Sequence, residues 1–118
     1  MLFLRNDLEA NILRLPGQLY EIKGENISNV YTFKIINKTN QNYNNVTFKI
    51  LSPKGSVKVV GKNSINIPAN KLVKGTLFIE IHPAFLTKDK TRVEIEVYQN
   101  KKLIETTATN FLGPRSFN

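Results

Sequence analysis

Few side chains in this sequence belong to the types that perform chemistry, and their spacing does not gather them into a site. His82 is the single histidine, cysteine is absent, and the one methionine is Met1. A general base needs an orienting partner, and a transition-metal or iron–sulfur site needs several thiolate or imidazole ligands. The composition therefore predicts no catalytic, cofactor-binding or metal-binding residue in the chain. We interpret His82 as a polar residue that ends a strand just before Pro83.

A close pair of carboxylates, Glu94 and Glu96, gives the same result. These two residues alternate with the apolar residues Val93, Ile95 and Val97. Two carboxylates that perform acid–base catalysis must converge in a cleft. The alternation instead places both on the solvent face of a strand, where lysines of a neighbouring strand can pair with them. The sequence predicts a domain that is not an enzyme.

Aromatic and basic residues offer contact with a partner and not catalysis. Tyr31 keeps the phase of the apolar residues around it and is predicted to lie in the core. Tyr20 and Tyr98 are amphipathic side chains of the kind that interfaces use. Lys101 and Lys102 form one of the densest basic clusters of the chain. We predict partner contact at Tyr20, Tyr98, Lys101 and Lys102.

The net charge of +8 raises the question of a nucleic-acid or membrane partner. Lysine outnumbers arginine, and the basic residues are scattered along the chain, whereas sequence-specific DNA-binding proteins concentrate them on a helix or a stripe. The sequence therefore predicts no nucleic-acid partner. The six glycines are isolated, so no phosphate-binding loop and no small-molecule substrate are expected.

Hydrophobic residues alternate with polar ones almost throughout, and turn residues recur about every ten positions. This pattern is typical of an all-β sandwich. We predict an immunoglobulin-like or fibronectin III-like sandwich of seven or eight antiparallel strands, without a disulfide. The predicted strands cover residues 10–22, with a break near Pro16-Gly17, and then 28–37, 46–50, 57–59, 65–67, 72–82, 91–99 and 102–112.

Three blocks of sequence carry a resemblance to one family. They are LRLPGQLY (Leu13 to Tyr20), ISNVYTFKIINKT (Ile27 to Thr39) and FLGP (Phe111 to Pro114). In this order they resemble the C-terminal immunoglobulin-like domain of the FixG/CcoG proteins, which are membrane-bound iron–sulfur accessory factors for cytochrome oxidase. The segment between the second and third blocks is similar in strand pattern only.

The resemblance implies a parent protein with several membrane helices and two 4Fe-4S clusters held by cysteines. This domain would follow the last helix and lie in the periplasm of a Gram-negative bacterium. Its role would be non-catalytic: contact with a protein partner, an oxidase subunit or assembly factor, during assembly of cbb3-type cytochrome oxidase. No cluster ligand can be transferred to a chain without cysteine, so we expect no cofactor within it.

The resemblance also implies a domain organisation. Residues 1–12 would be a juxtamembrane linker, residues 13–114 the sandwich, and residues 115–118 a C-terminal tail. The basic surface would face anionic lipid headgroups, brought near by the parent protein, or an acidic partner. The first and last strands would be edge strands open to strand addition.

A free-standing secreted β-sandwich that serves binding or adhesion is the alternative. Such a module needs exposed aromatic residues on one face, and the chain has no tryptophan for stacking on sugars. The run Leu2 to Leu4 is too short for a signal peptide, and no window of the sequence is long and apolar enough to span a bilayer. We therefore expect either a cytosolic protein or a fragment without its targeting region.

Overall fold

The computed structural model describes residues 8–15, 20–86 and 90–113, which form nine strands and one turn of 3-10 helix at Pro83–Phe85. The strands are β1 (Leu8–Arg14), β2 (Glu21–Lys23), β3 (Asn26–Asn37), β4 (Tyr43–Ser52), β5 (Ser56–Val59), β6 (Ile65–Ile67), β7 (Leu72–Ile81), β8 (Lys90–Gln99) and β9 (Lys102–Leu112).

The strands form two antiparallel sheets. The β3 sheet has the order β1-β3-β7-β5, and β2 also pairs with β3. The β8 sheet has the order β6-β4-β8-β9. The predicted all-β sandwich is confirmed. The sequence predicts one broken strand over residues 10–22, whereas the structure has two separate strands there, β1 and β2. The described residues therefore form nine strands and not seven or eight.

The core lies between the sheets because each long strand turns one apolar face inward. Tyr31, Phe33 and Ile35 of β3 are buried, and so are the three alternating apolar residues of β8. Their partners in the core come from every other long strand of the two sheets, including Leu77 and Ile79 of β7 and Phe111 of β9. The alternation of apolar and polar residues in the sequence therefore reflects burial of every second side chain against the opposite sheet.

The predicted linker at residues 1–12 is wrong in its C-terminal part. Strand β1 begins at Leu8 and pairs in register with β3, from Leu8 opposite Asn37 to Arg14 opposite Tyr31. Leu8, Ala10 and Ile12 are buried, because alternate residues of this strand face the core. The sandwich therefore includes residues 8–12. The predicted break at residues 16 and 17 and the predicted tail at residues 115–118 lie outside the described residues.

Two buried asparagines of β3 join the two sheets. Asn29 Nδ2 donates to the carbonyl of Leu112 at 2.9 Å, and its Oδ1 accepts from the amide of Leu112 at 2.8 Å. At the end of β3, Asn37 Nδ2 donates to the carbonyls of Ile67 and Pro68, each at 3.1 Å. Strands β9 and β6 are the two edges of the β8 sheet. Both edges are thus tied to an inner strand of the β3 sheet in a chain without cysteine.

Gly75 of β7 leaves room for the ring of Phe33, its direct partner on β3. A Cβ at Gly75 would lie 2.6 Å from two ring carbons of Phe33. The ring has little freedom to move, because it is buried and packs edge-to-face on Phe48 with centroids 5.2 Å apart. The aromatic ring therefore covers the glycine and fills the place of its missing side chain.

We expect Gly75→Ala to lower the free energy of unfolding by about 1–3 kcal/mol, the range for overpacking a filled core. Removing a glycine elsewhere in a compatible strand stabilises by about 0.4–1 kcal/mol, so the sign of the effect is informative. Urea denaturation measures it. The control is the same substitution in a Phe33→Leu background, where the cost should shrink. An equal cost in both backgrounds would rule out the contact with Phe33 as its cause.

Candidate functional site

The structure brings together three of the four predicted contact residues. Tyr98 lies near the end of β8, Lys101 follows in the tight turn to β9, and Lys102 begins β9. Asn100 takes a positive φ of 57° in this turn, a conformation that asparagine tolerates better than most residues. Tyr20, which is 36% exposed, precedes β2 at the other end of the sandwich. The predicted residues therefore do not form one surface.

A surface pocket of 370 Å³ lies beside this turn, and we call it the Tyr98 pocket. It is lined by Thr47, Phe48, Lys49, Tyr98, Asn100 and Lys101. Lys102 instead lines a neighbouring hollow of 240 Å³, with Leu103 and residues of β4 and β1. The ammonium groups of Lys49 and Lys101 beside the ring of Tyr98 suit contact with an acidic protein segment.

Glu96 holds the phenol of Tyr98 in place. Tyr98 Oη donates to Glu96 Oε1 at 2.9 Å, and this hydrogen bond raises the pKa of Tyr98. Glu94 and Glu96 lie on the partly exposed outer face of β8, as predicted. Lys49 stands opposite Glu96 in register, on the neighbouring strand where a lysine was expected. Glu94 instead lies 3.8 Å from Arg92 on its own strand.

We expect Glu96→Gln to lower the pKa of Tyr98 toward that of a free tyrosine, because the substitution removes the negative charge and the charged acceptor. An ultraviolet titration of phenolate formation measures this change, with the signal assigned by comparison with Tyr98→Phe. Glu94→Gln serves as the matched control and should leave the titration of Tyr98 unchanged. Identical curves for Glu96→Gln and the unsubstituted chain would contradict the assignment.

His82 has the structural role that the sequence predicts. It follows β7, and its Nδ1 accepts a hydrogen bond from the amide of Ala84 at 3.0 Å, which caps the short 3-10 turn. Its Nε2 lies 3.8 Å from Glu25 Oε1. Within residues 8–15, 20–86 and 90–113, no group of three or more histidine, cysteine or acidic side chains is arranged to hold a metal ion. The same ranges contain no helix that is long and apolar enough to cross a membrane.

The predicted edge strands β1 and β9 partly cover each other. Thr107 Oγ1 of β9 donates to the carbonyl of Ala10 in β1 at 3.0 Å. The two sheets therefore close against each other along this side, and an added strand would have to displace that contact. Strand β2 extends the same edge, with Ile22 68% exposed.

Sequence reasoning missed a basic surface on the outer face of the β3 sheet. Lys34, Lys58 and Lys74 are exposed there, on β3, β5 and β7. Each lysine alternates with residues of the core face, for example Phe33 and Ile35 on either side of Lys34. That signal shows the outward direction of each side chain. It does not show that these strands are neighbours, so the lysines looked scattered.

The three sequence blocks of the family resemblance meet around Asn29 and Tyr31. Besides the Asn29–Leu112 pair, Tyr31 Oη donates to the carbonyl of Asn110 at 2.6 Å, and burial raises the pKa of this phenol. The amide of Leu15 donates to the carbonyl of Val30 at 3.0 Å. The second block therefore binds the described parts of the first and third. These residues hold the fold together.

The geometry defines an immunoglobulin-like β-sandwich. A family profile described as "IG-like fold at C-terminal of FixG, putative oxidoreductase" matches residues 1–114. The chain belongs to this family of FixG C-terminal domains.

A solved structure agrees with the fold. A FixG-related protein from Vibrio parahaemolyticus superposes with a TM-score of 0.67 at 23% identity, over 90% of this chain and 95% of that one. The yeast GGA1_GAE domain gives a TM-score of 0.42 at 14% identity, over 96% of each chain. No curated protein matches the sequence.

Proposed function

We propose that this chain is the non-catalytic, extracytoplasmic interaction domain of a membrane-bound iron–sulfur protein that serves assembly of cbb3-type cytochrome oxidase. The observation that carries the proposal is the family match over residues 1–114, which describes a domain at the C-terminus of FixG. A domain of this kind adds a surface to its parent, and its partner is an oxidase subunit or an assembly factor.

The positions of the family blocks support an interaction role on the outer surfaces. Asn29 and Tyr31 of the longest block are buried and bond the backbone of β9. These two residues serve the fold, so contacts with a partner are left to exposed residues. The Tyr98 pocket, with Lys49 and Lys101 at its rim, is the concave surface that best fits an acidic segment of a partner protein.

Two experiments on the native gene test the proposal. The reading frame around this domain should encode apolar spans of about 20 residues and two cysteine-rich cluster motifs. Alkaline phosphatase fused after the domain should be active, because that enzyme works only outside the cytoplasm, and a fluorescent protein fused at the same place should stay dark. A fluorescent fusion without phosphatase activity would place the domain in the cytoplasm and refute the proposal.

A further inference from the structure

Lysines stand together on the outer face of the β3 sheet. Lys34 of β3 and Lys74 of β7 are direct cross-strand partners, and both are exposed. Lys58 of β5 stands on the same face, opposite Phe78. Lys23 of β2 reaches over the ring of Phe78, with Nζ 4.7 Å from its centroid. We call these four lysines the lysine face.

Carboxylates lie at both ends of the part of this face that carries Lys34, Lys58 and Lys74. At one end, Glu80 of β7 and Glu21 of β2 both lie in register with Ser28, and Lys23 lies beyond this row, opposite Asn26. At the other end, Glu9 lies opposite Ile36, and its carboxylate is already bound to Lys38 at 2.9 Å. Between these two rows, the described residues of β1, β3, β5 and β7 include no acidic side chain. The middle of the face therefore carries one sign of charge.

The pair Lys34 and Lys74 is unfavourable within the isolated domain. Directly opposed side chains have Cβ atoms about 5 Å apart, and like charges at that separation destabilise a sheet. In the described part of the chain, neither lysine forms an ion pair. The outer face of the β8 sheet differs, because Arg92 lies near Glu94 there and Lys49 stands opposite Glu96. A partner that supplies anions would relieve the repulsion on the lysine face.

We infer that the lysine face rests on an anionic lipid bilayer. Exposed leucines stand on the same outer face, Leu13 at 67% and Leu72 at 45% exposure. Lysines mixed with exposed apolar side chains are the combination that binds a membrane interface. This inference rests on the proposed function, since a membrane-bound parent keeps the domain near lipid. It also sets an orientation, in which the β8 sheet and the Tyr98 pocket point away from the membrane toward protein partners.

The test uses the 118-residue chain and sedimentation with vesicles. Vesicles of equal parts phosphatidylglycerol and phosphatidylcholine should bind the chain, and vesicles of phosphatidylcholine alone should not. The double variant Lys34→Gln/Lys74→Gln should weaken binding roughly twenty-five-fold, from about fivefold for each lysine near the surface. Added salt should weaken binding of the unsubstituted chain, because it screens charges beyond roughly 8 Å.

The matched control removes the same charge from the other sheet. Lys49→Gln/Lys101→Gln should weaken vesicle binding far less than the lysine-face variant. Equal losses in the two variants would show attraction by net charge alone and overturn the inference, as would no binding to the anionic vesicles. The vesicle test does not need the parent protein. If the chain does not bind anionic vesicles but the phosphatase fusion is active, the membrane inference is refuted and the proposed function is not.

Discussion

Replacing Asn37 by alanine should lower the free energy of unfolding by about 3–4 kcal/mol. Asn37 is buried, and its amide makes five hydrogen bonds. The two hydrogens of Nδ2 are shared among three carbonyls, those of Gln41, Ile67 and Pro68. Oδ1 accepts from the amide and hydroxyl of Thr39. Loss of the amide leaves several of these groups without a partner, and each buried unpaired group costs about 1–3 kcal/mol. Thermal or urea denaturation measures the loss.

Two further variants test whether the cost of Asn37→Ala comes from its hydrogen bonds or would follow from replacing any asparagine near this turn. Asn42→Ala removes one exposed hydrogen bond, to the amide of Ala69 at 2.9 Å, and should cost at most about 1 kcal/mol. Asn37→Asp keeps the acceptor for Thr39 but loses the donor to the three carbonyls, so it should remain strongly destabilising. If Asn37→Ala costs no more than Asn42→Ala, then Asn37 does not hold β6 to the β3 sheet.

The second large effect is expected at Asn29, at the other end of β3. Asn29→Ala removes both hydrogen bonds to the backbone of Leu112 and should cost about 2–3 kcal/mol. The loss of stability should be local, because only the end of β9 is released from the β3 sheet. Hydrogen exchange should therefore show a less protected amide at Leu112, while amides in the middle of β8 keep their relative protection.

Asn110→Ala is the matched control for Asn29→Ala. The side chain of Asn110 is exposed, and Tyr31 binds its backbone carbonyl, which the substitution retains. This variant should change the free energy of unfolding by less than about 0.5 kcal/mol. Unchanged protection at Leu112 in Asn29→Ala would contradict the claim that this side chain ties the two sheets together.

The strands and the core of this protein follow from its sequence because their signal is local. Alternating burial identified Tyr31 as a core residue and placed both glutamates of β8 outward. At the end of β3, Asn37 Oδ1 accepts from the amide of Thr39 at 2.9 Å, a local turn of the kind that asparagine forms with its own backbone. Local chemistry of this kind needs no knowledge of which strands are neighbours.

The features that sequence analysis missed depend on strand order. The phase of Leu8, Ala10 and Ile12 is present in the sequence, but only the pairing of β1 with β3 shows that these residues belong to the sandwich. Lys34 and Lys74 are far apart in the chain and become partners through the β3–β7 ladder. For the same reason, the sequence did not show that Tyr20 lies on a different surface from Tyr98, Lys101 and Lys102.

The family resemblance is informative about the fold for a physical reason. Asn29, Tyr31 and Asn37 lie in its longest block, and their side chains bond the backbone of β9 and β6 and of the turn after β3. In a chain without cysteine, these bonds join the sheets where a disulfide joins them in antibody domains. Residues with this role identify the architecture. They are buried, so a search for the partner should begin with substitutions of the exposed lysines and tyrosines.

The most direct test of the proposed function is deletion of this domain from its FixG-type parent in the native gene, with the cysteine motifs left intact. Membranes are then assayed for assembled cbb3-type oxidase, and the purified parent for its iron–sulfur spectrum. We predict loss of the assembled oxidase while the parent keeps its clusters, because the proposed function assigns contact and not redox chemistry to the domain. Normal oxidase assembly without the domain would contradict the proposed function.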